Sequence, residues 1–290
     1  MITVSACAKI NLTLEVLGKR PDGYHEIRSV VQTISLCDTL GLEANDSVVA
    51  RSSATGWDAG KSLVTKAALQ LKESAHVAGG ADITLEKRIP MMAGLGGDSS
   101  AAAAVLRGLN ALWGLGWTRE RLWPLAAQLG SDVAFFLYGG TCLMSGRGEV
   151  IQPLPPFPRR WVIVVNPAIP QLPGKTAAAY AALKPAHFAD GSITQRLVDL
   201  LRVGRGFSPA HLFNTFENGA FAPGTELATY RSHIRKMGAA QVKLAGSGPA
   251  LYTLLDDRAQ ASDLFTRLRN QGMETYLCET IAAPENVTQM

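Results

Sequence analysis

Apolar and polar residues alternate through the first part of the chain. Polar residues separate the apolar ones at Ile10, Leu12, Leu14 and Val16. A period of two predicts a strand with one buried face, and the Lys-Arg-Pro-Asp-Gly run after it predicts a turn. Comparable apolar runs predict further strands at 29–36, 40–43, 48–52, 82–88, 161–165, 241–244, 251–255 and 273–280, and a hairpin over 141–151.

Apolar residues spaced three or four positions apart predict the helices. Thr118 and Ser131 each precede such a run, and residues of this type commonly cap a helix N-terminus. Helices are predicted at 61–75, in the alanine-rich run after 100, and at 118–129, 132–138, 175–183, 192–203, 225–237 and 259–270. Because strands and helices mix without a regular β-α-β order, the predicted fold class is α+β.

A proline-rich run at 153–158 divides the chain. Prolines stiffen the backbone and interrupt regular elements, so this run predicts a linker between two domains, 1–157 and 158–290. The tail from Pro284 onward is predicted to fray.

Composition excludes several classes of protein. The 290 residues are 47% apolar and 18% charged, an ordinary globular balance, and the net charge of +4 is spread without the Lys/Arg block of a nucleic-acid binder. No signal peptide or membrane-length apolar run is apparent. The four cysteines lie far apart, which argues against a zinc site, and we expect reduced, buried thiols in a cytoplasmic protein. They are Cys7, Cys37, Cys142 and Cys278.

The glycine-rich stretch from Pro90 to Ala104 is the most informative motif. Glycines permit a close approach to the backbone, and a helix N-terminus after such a loop presents free N–H groups and positive dipole charge to a phosphate. The residues alone also fit a turn followed by a helix capped by Asp98 or Ser99. The dinucleotide-binding fingerprint G-x-G-x-x-G does not match from Gly94, because Ser99 stands where its last glycine is required. A P-loop-like run at 169–176 lacks the first glycine and contains two prolines.

Four motifs in sequence order resemble the GHMP kinases, the superfamily of galacto-, homoserine, mevalonate and phosphomevalonate kinases. The glycine-rich stretch resembles their ATP-binding motif. The segments 8–12 and 18–25 resemble the branch that acts on a diphosphocytidyl methylerythritol, 130–136 resembles its catalytic-aspartate segment, and 244–249 resembles the third glycine motif. The resemblance implies a two-domain fold, with an ATP-binding domain at 1–157, a C-terminal domain at 158–290 and the site between them.

The resemblance also implies roles for individual residues. Asp132 would act as the base on the substrate hydroxyl, the 2-hydroxyl of the methylerythritol unit, with Lys9 as its partner. ATP would be the co-substrate, accompanied by Mg²⁺ that contacts Ser99 or Ser100. The implied ATP-binding residues are Pro90, Met91, Met92, Ala93, Gly94, Leu95, Gly96, Gly97, Asp98, Ser99 and Ser100. The implied substrate-binding residues are Asn11, Tyr24, His25, Gly246, Ser247 and Gly248.

Asp98 departs from the family pattern, because the usual run has a third glycine before its serines. A carboxylate there would repel a triphosphate unless it turns outward, caps the helix or faces Mg²⁺. Without the resemblance, Lys9 would be expected on a solvated strand face.

The alternative functions are a homoserine- or mevalonate-type kinase and a catalytically silent nucleotide-binding regulator. We expect a small-molecule substrate, no nucleic acid or membrane partner, and a monomer or weak homodimer.

Overall fold

The computed structural model describes residues 1–170, 174–204, 206–282 and 288–289, and its strands form two sheets. The larger sheet contains β1 (Ile2–Asn11), β2 (Thr13–Lys19), β3 (His25–Asn45), β4 (Val49–Ser52), β5 (Gly80–Glu86), β6 (Thr141–Gly146), β7 (Val150–Pro153), β9 (Phe213–Asn214) and β13 (Thr288–Gln289). The smaller, antiparallel sheet contains β8 (Trp161–Asn166), β10 (Lys243–Leu244), β11 (Leu251–Leu255) and β12 (Glu274–Glu279).

The long strand β3 organises the larger sheet. It pairs antiparallel with β1, β2, β5 and β6 along its 21 residues. The sequence predicts two strands, at 29–36 and 40–43, and the structure has one continuous strand instead. The polar residues near Asp38 do not interrupt it, because Asp38 is buried and hydrogen-bonded.

The helices pack beside these sheets and provide the remaining walls of the fold. They are α1 (Leu63–Ser74), α2 (Gly97–Leu112), α3 (Arg119–Leu129), α4 (Ser131–Tyr138), α5 (Lys175–Ala181), α6 (Ser192–Arg202), α7 (Glu217–Ala220), α8 (Glu226–Lys236) and α9 (Arg258–Asn270). The small alanines of α2 are buried against β1 and β3, which lets this helix lie close to the sheet. The sequence predicts Ser131 as the N-cap of α4. In the structure Gly130 is the N-cap and Ser131 is the first helical residue.

The polar positions of β1 and β2 are buried, which corrects the prediction of a strand with one buried face. Lys9, Asn11, Thr13 and Glu15 are at most 6% exposed. Thr13 and Glu15 hydrogen-bond to Thr194 in α6, while Lys9 and Asn11 face a cleft. The alternation of apolar and polar residues therefore predicted strand structure here, but it could not show that both faces of the strands are covered.

A disulfide joins Cys7 in β1 to Cys37 in β3. These residues occupy directly opposed positions of the two antiparallel strands. The expectation of four reduced thiols is therefore wrong for this pair, because distant positions in sequence become neighbours through strand pairing. Cys142 and Cys278 are free and buried, and burial raises the pKa of each thiol to about 12.

The two sheets share a hydrophobic core that contains residues from both of them. The predicted domain boundary at 157/158 falls between β7 and β8, and β9 from the C-terminal part returns to pair with β2. The boundary remains a prediction. Among the described residues, no helix combines the length and apolar character that crossing a bilayer requires. Much of the tail predicted to fray lies outside the described residues, although β13 pairs with β1.

Candidate active site

A cleft of about 800 Å³ lies where the glycine-rich loop (residues 90–97), the start of α4, the 19–25 turn and α5 meet. Strand β1 forms its floor and the glycine turn at 246–248 forms part of its wall. The predicted site residues that line it are Lys9, Asn11, Tyr24, His25, Pro90, Met91, Met92, Ala93, Gly94, Leu95, Gly96, Gly97, Asp98, Ser99, Asp132, Gly246 and Ser247.

Lys9 and Asp132 form an ion pair on the floor of the cleft. The Lys9 Nζ lies 3.5 Å from the Asp132 Oδ2, and the Asp132 side chain is 38% exposed. Lys9 Nζ also donates to the Asn11 Oδ1 at 2.9 Å, and the Asn11 amide donates to the Ser29 Oγ at 2.9 Å. This chain of polar contacts fixes a buried ammonium, and the open side of the carboxylate faces the cleft.

The glycine-rich loop is held on both sides by backbone hydrogen bonds. The Lys9 amide donates to the Leu95 carbonyl at 2.9 Å, and the Ala250 amide donates to the Ala93 carbonyl at 3.0 Å. Gly94 has a φ of +86°, and a Cβ there would collide with the Ala245 carbonyl. Only glycine allows this turn to pack against the C-terminal part of the chain.

The two serines after the loop differ in orientation. Ser99 lines the cleft. Ser100 is 2% exposed, and its hydroxyl donates to the Cys7 carbonyl at 2.7 Å. Ser100 therefore joins α2 to β1 in this structure, and of the two serines expected near Mg²⁺ only Ser99 faces the ligand space.

Asp98 lies in the first turn of α2, where a negative charge suits the helix dipole. Its carboxylate is 3.8 Å from the Lys87 Nζ. The Lys87 ammonium also contacts the fully buried Asp38 at 2.6 Å. Asp38 accepts the amides of Arg88 and Ile89 at 2.7 and 2.8 Å as well. The extra acid of the loop thus faces a buried lysine, which offsets its charge.

Aromatic side chains gather at the other end of the cleft. The His25 ring stacks on Tyr180 with ring centroids 5.0 Å apart, and Tyr24 lies under the Arg147 guanidinium at 4.7 Å. Burial, with a smaller contribution from Lys19, lowers the pKa of His25. Burial and the nearby Asp132 charge raise the pKa of Tyr180 to about 12. This end of the cleft therefore offers aromatic surface on which a planar ring could stack.

The glycine turn at 246–248 closes the cleft from the C-terminal part. Asn214 donates to the carbonyls of Leu244 and Gly246 at 2.9 and 2.8 Å, and a Cβ at Gly246 would lie 3.0 Å from the Gly94 carbonyl. Gly248 is buried and directs its carbonyl to Lys175. The turn and the glycine-rich loop therefore pack against each other.

Sequence reasoning missed several cleft residues. Tyr180 and Thr176 come from α5, and Arg147 and Phe216 come from loops. Helix α5 is predicted by its spacing, but nothing in that spacing shows that one face of it covers the 19–25 turn. The P-loop-like run at 169–176 lies partly outside the described residues, and Lys175 begins α5.

Two families of domains match this chain. The GHMP kinases N terminal domain matches residues 62–140, and the GHMP kinases C terminal domain matches 197–273.

Full-length relatives share one name, 4-diphosphocytidyl-2-C-methyl-D-erythritol kinase. One from Dehalococcoides mccartyi is 46% identical over 281 residues, 97% of this chain and 99% of the relative. One from Bacillus cereus is 38% identical over 291 residues, 99% of each.

Solved structures show a similar fold. A crystal structure of 4-(cytidine 5'-diphospho)-2C-methyl-D-erythritol kinase matches with a TM-score of 0.82 and 33% identity, over 96% of this chain and 98% of that one. A homoserine kinase from Cytophaga hutchinsonii, 17% identical with a TM-score of 0.75 over 99% and 96%, shares the fold.

Proposed function

We propose that this chain, which belongs to the 4-diphosphocytidyl-2-C-methyl-D-erythritol kinase family of the GHMP kinases, transfers the γ-phosphoryl group of ATP to the 2-hydroxyl of 4-diphosphocytidyl-2-C-methyl-D-erythritol. The product would be the 2-phospho derivative, an intermediate of non-mevalonate isoprenoid precursor synthesis. The observation that carries the proposal is the Lys9–Asp132 pair beside the glycine-rich loop, in one cleft with an aromatic end.

Asp132 is the proposed base. Phosphoryl transfer proceeds through a loose transition state, so a positioned carboxylate that accepts the hydroxyl proton acts mainly by orientation. Lys9 holds that carboxylate and places a positive charge beside the oxygen that becomes bonded to phosphorus. Asn11 keeps the ammonium in place through its Oδ1.

The loop at 90–97 and the N-terminus of α2 are the proposed ATP site. Backbone amides and the helix dipole at Gly96 and Gly97 favour phosphate oxygens, and Met91 and Met92 offer exposed apolar surface beside them. From the resemblance to the family, Gly246, Ser247 and Gly248 are proposed to close over the substrate near the phosphates.

Mg²⁺ is proposed to arrive with the nucleotide. Mg²⁺ commonly keeps several waters and binds through one or two protein ligands together with substrate phosphates. Of Ser99 and Ser100, the two serines expected to contact it, Ser99 lines the cleft and is the proposed contact, and the role of the ion would be to neutralise charge on the phosphates.

The aromatic end is the proposed cytidine site. Tyr24 presents an exposed ring, and stacking on a base contributes about 1–3 kcal/mol in nucleic-acid binders. His25, whose pKa is lowered mainly by burial, would hydrogen-bond the cytosine edge. Thr176 and Tyr180 add a second wall.

The remaining proposals concern the whole chain. We propose domains at 1–157 and 158–290, a monomer or weak homodimer, and no nucleic acid or membrane partner. A cytoplasmic location is proposed because ATP and the sugar-alcohol substrate are supplied there.

The test is an ADP-release assay with purified protein, ATP and Mg²⁺ and three acceptors in parallel. The cytidyl substrate should be phosphorylated, while homoserine and mevalonate should not support turnover above the ATP-only background. Phosphorus NMR of the product should place the new phosphate on the 2-oxygen. Turnover with mevalonate or homoserine alone would reject the proposed substrate, and no turnover with any acceptor would reject the proposed activity.

A further inference from the structure

Lys175 occupies an unusual position at the first residue of α5. A cation there opposes the helix dipole, so the helix itself gives no reason for a lysine. Its Nζ instead donates to the Met92 carbonyl at 3.1 Å and to the Gly248 carbonyl. These acceptors belong to the glycine-rich loop and to the glycine turn at 246–248, so one ammonium joins the two segments.

The Met92 backbone has an unusual conformation at this contact. Met92 has a φ of +53°, a left-handed conformation that non-glycine residues adopt only where surrounding structure enforces it. The Met92 carbonyl accepts from Lys175 in this conformation. Because Gly94, whose turn packs on Ala245, lies two residues after Met92, the contact lies at the entry of the loop.

A second contact from the same helix supports the arrangement. The Thr176 hydroxyl lies 3.0 Å from the Ser247 hydroxyl, so successive residues of α5 contact the glycine turn. Burial lowers the pKa of Lys175 to about 8, because removing water disfavours the charged ammonium.

We propose that Lys175 is a positioning residue for the nucleotide: its ammonium fastens the entry of the glycine-rich loop to the C-terminal glycine turn and so sets where the loop amides meet the triphosphate. The inference rests on the proposed ATP-dependent function. Lys175 acts through the loop, and removing its charge should weaken ATP use more than acceptor use.

The test compares Lys175→Met with Lys175→Arg and with Lys184→Met, the same change at an exposed lysine further along the segment. Lys175→Met should raise KM for ATP about tenfold, equivalent to about 1.4 kcal/mol, with KM for the acceptor changed less than threefold. Lys175→Arg, which retains a charged donor, should recover at least part of the loss. Lys184→Met should behave as the unmodified protein.

Hydrogen exchange, measured without the phosphoryl-acceptor substrate, separates a positioning role of Lys175 from a general loss of structure. The Ala250 amide, which donates to the Ala93 carbonyl of the loop, should exchange faster in Lys175→Met, while the amides of α9 keep their protection. Faster exchange throughout the protein would overturn the inference in favour of a merely structural role.

The same set of measurements distinguishes this inference from the proposed function. If the unmodified protein fails to phosphorylate the acceptor, the proposed function fails. If it succeeds, and Lys175→Met has unchanged KM for ATP and unchanged Ala250 exchange, the inference fails alone.

Discussion

At the scale of single residues, three structural features of Asp132 bear on its proposed role as the base. It lies at the start of a helix, it contacts a buried lysine, and part of its carboxylate remains open to the cleft. The amide of an asparagine has nearly the same shape, so it can fill the position but cannot accept the proton.

Asp132→Asn should therefore reduce kcat at least a hundredfold, the range typical of lost acid–base catalysis, while ATP binding changes less than threefold. Steady-state kinetics and calorimetric titration with ATP measure the two quantities. Asp256→Asn, at a carboxylate that is 81% exposed, is the control. A kcat within threefold of the unmodified value would remove Asp132 from the mechanism.

Tyr24 tests the cytidine end of the cleft in the same way. Tyr24→Ala removes the ring and should raise KM for the cytidyl substrate by about 5- to 160-fold, the range that stacking energies of about 1–3 kcal/mol imply. KM for ATP should stay nearly constant. Tyr24→Phe keeps the ring and should change KM for the cytidyl substrate little. Equal increases in both Michaelis constants for Tyr24→Ala would contradict a stacking role.

At the scale of elements, one strand caps a distant helix. The first amides of α6 have no intrahelical partner, and Gly191 at its N-terminus has no side chain to accept them. The buried Glu15 of β2 accepts the Gly191 amide at 3.1 Å and the Thr194 amide at 2.6 Å. The carboxylate also suits the positive end of the helix dipole. Strand and helix therefore stabilise each other.

Glu15→Gln replaces one acceptor oxygen with a donor that faces an amide. Because Glu15 is fully buried, we expect the free energy of unfolding to fall by about 2–3 kcal/mol, in the range for hydrogen bonds to charged groups. Urea unfolding measures this change. Glu226→Gln, at an exposed first-turn acid of α8, should lower it by less than about 1 kcal/mol. Equal effects of both substitutions would argue against capping by Glu15.

The sequence predicts elements better than it predicts their neighbours. Spacing alone placed α2 and α6 within a few residues, because an amphipathic pattern reflects burial of one face. It failed for the short β9, whose two residues form a strand only by pairing with β2. Lys9 and Asp132 entered the site prediction through the resemblance, since local pattern favoured a solvated Lys9. Thr176 and Tyr180 were missed as cleft residues because tertiary packing brings α5 to the cleft.

At the scale of the whole molecule, the Cys7–Cys37 disulfide links the central strands of the larger sheet. A bond that closes a loop of about 30 residues restricts the unfolded chain, which corresponds to about 3–4 kcal/mol in the chain-entropy treatment. Disulfides are rare in a reducing cytoplasm, so the oxidation state decides whether the protein has this contribution in the proposed location.

Reduction should lower the free energy of unfolding by about 2–4 kcal/mol, measured by urea unfolding with and without a dithiol reductant. Cys37→Ser should match the reduced protein and should not respond to the reductant. Thiol titration in denaturant should detect two thiols before reduction, Cys142 and Cys278, and four afterwards. Four thiols before reduction would show that the bond does not form in the purified protein.

The hydrogen bond from the Lys9 amide to the Leu95 carbonyl has a mechanical consequence. Strand β1, which carries Lys9, is bonded to the proposed phosphate-binding loop, and the hydrogen bond from Ser100 to the Cys7 carbonyl attaches α2 to the same strand. The proposed sites for ATP and for the acceptor hydroxyl are therefore both attached to β1. A displacement of β1 would therefore move the Lys9 ammonium and residues 95–100 together.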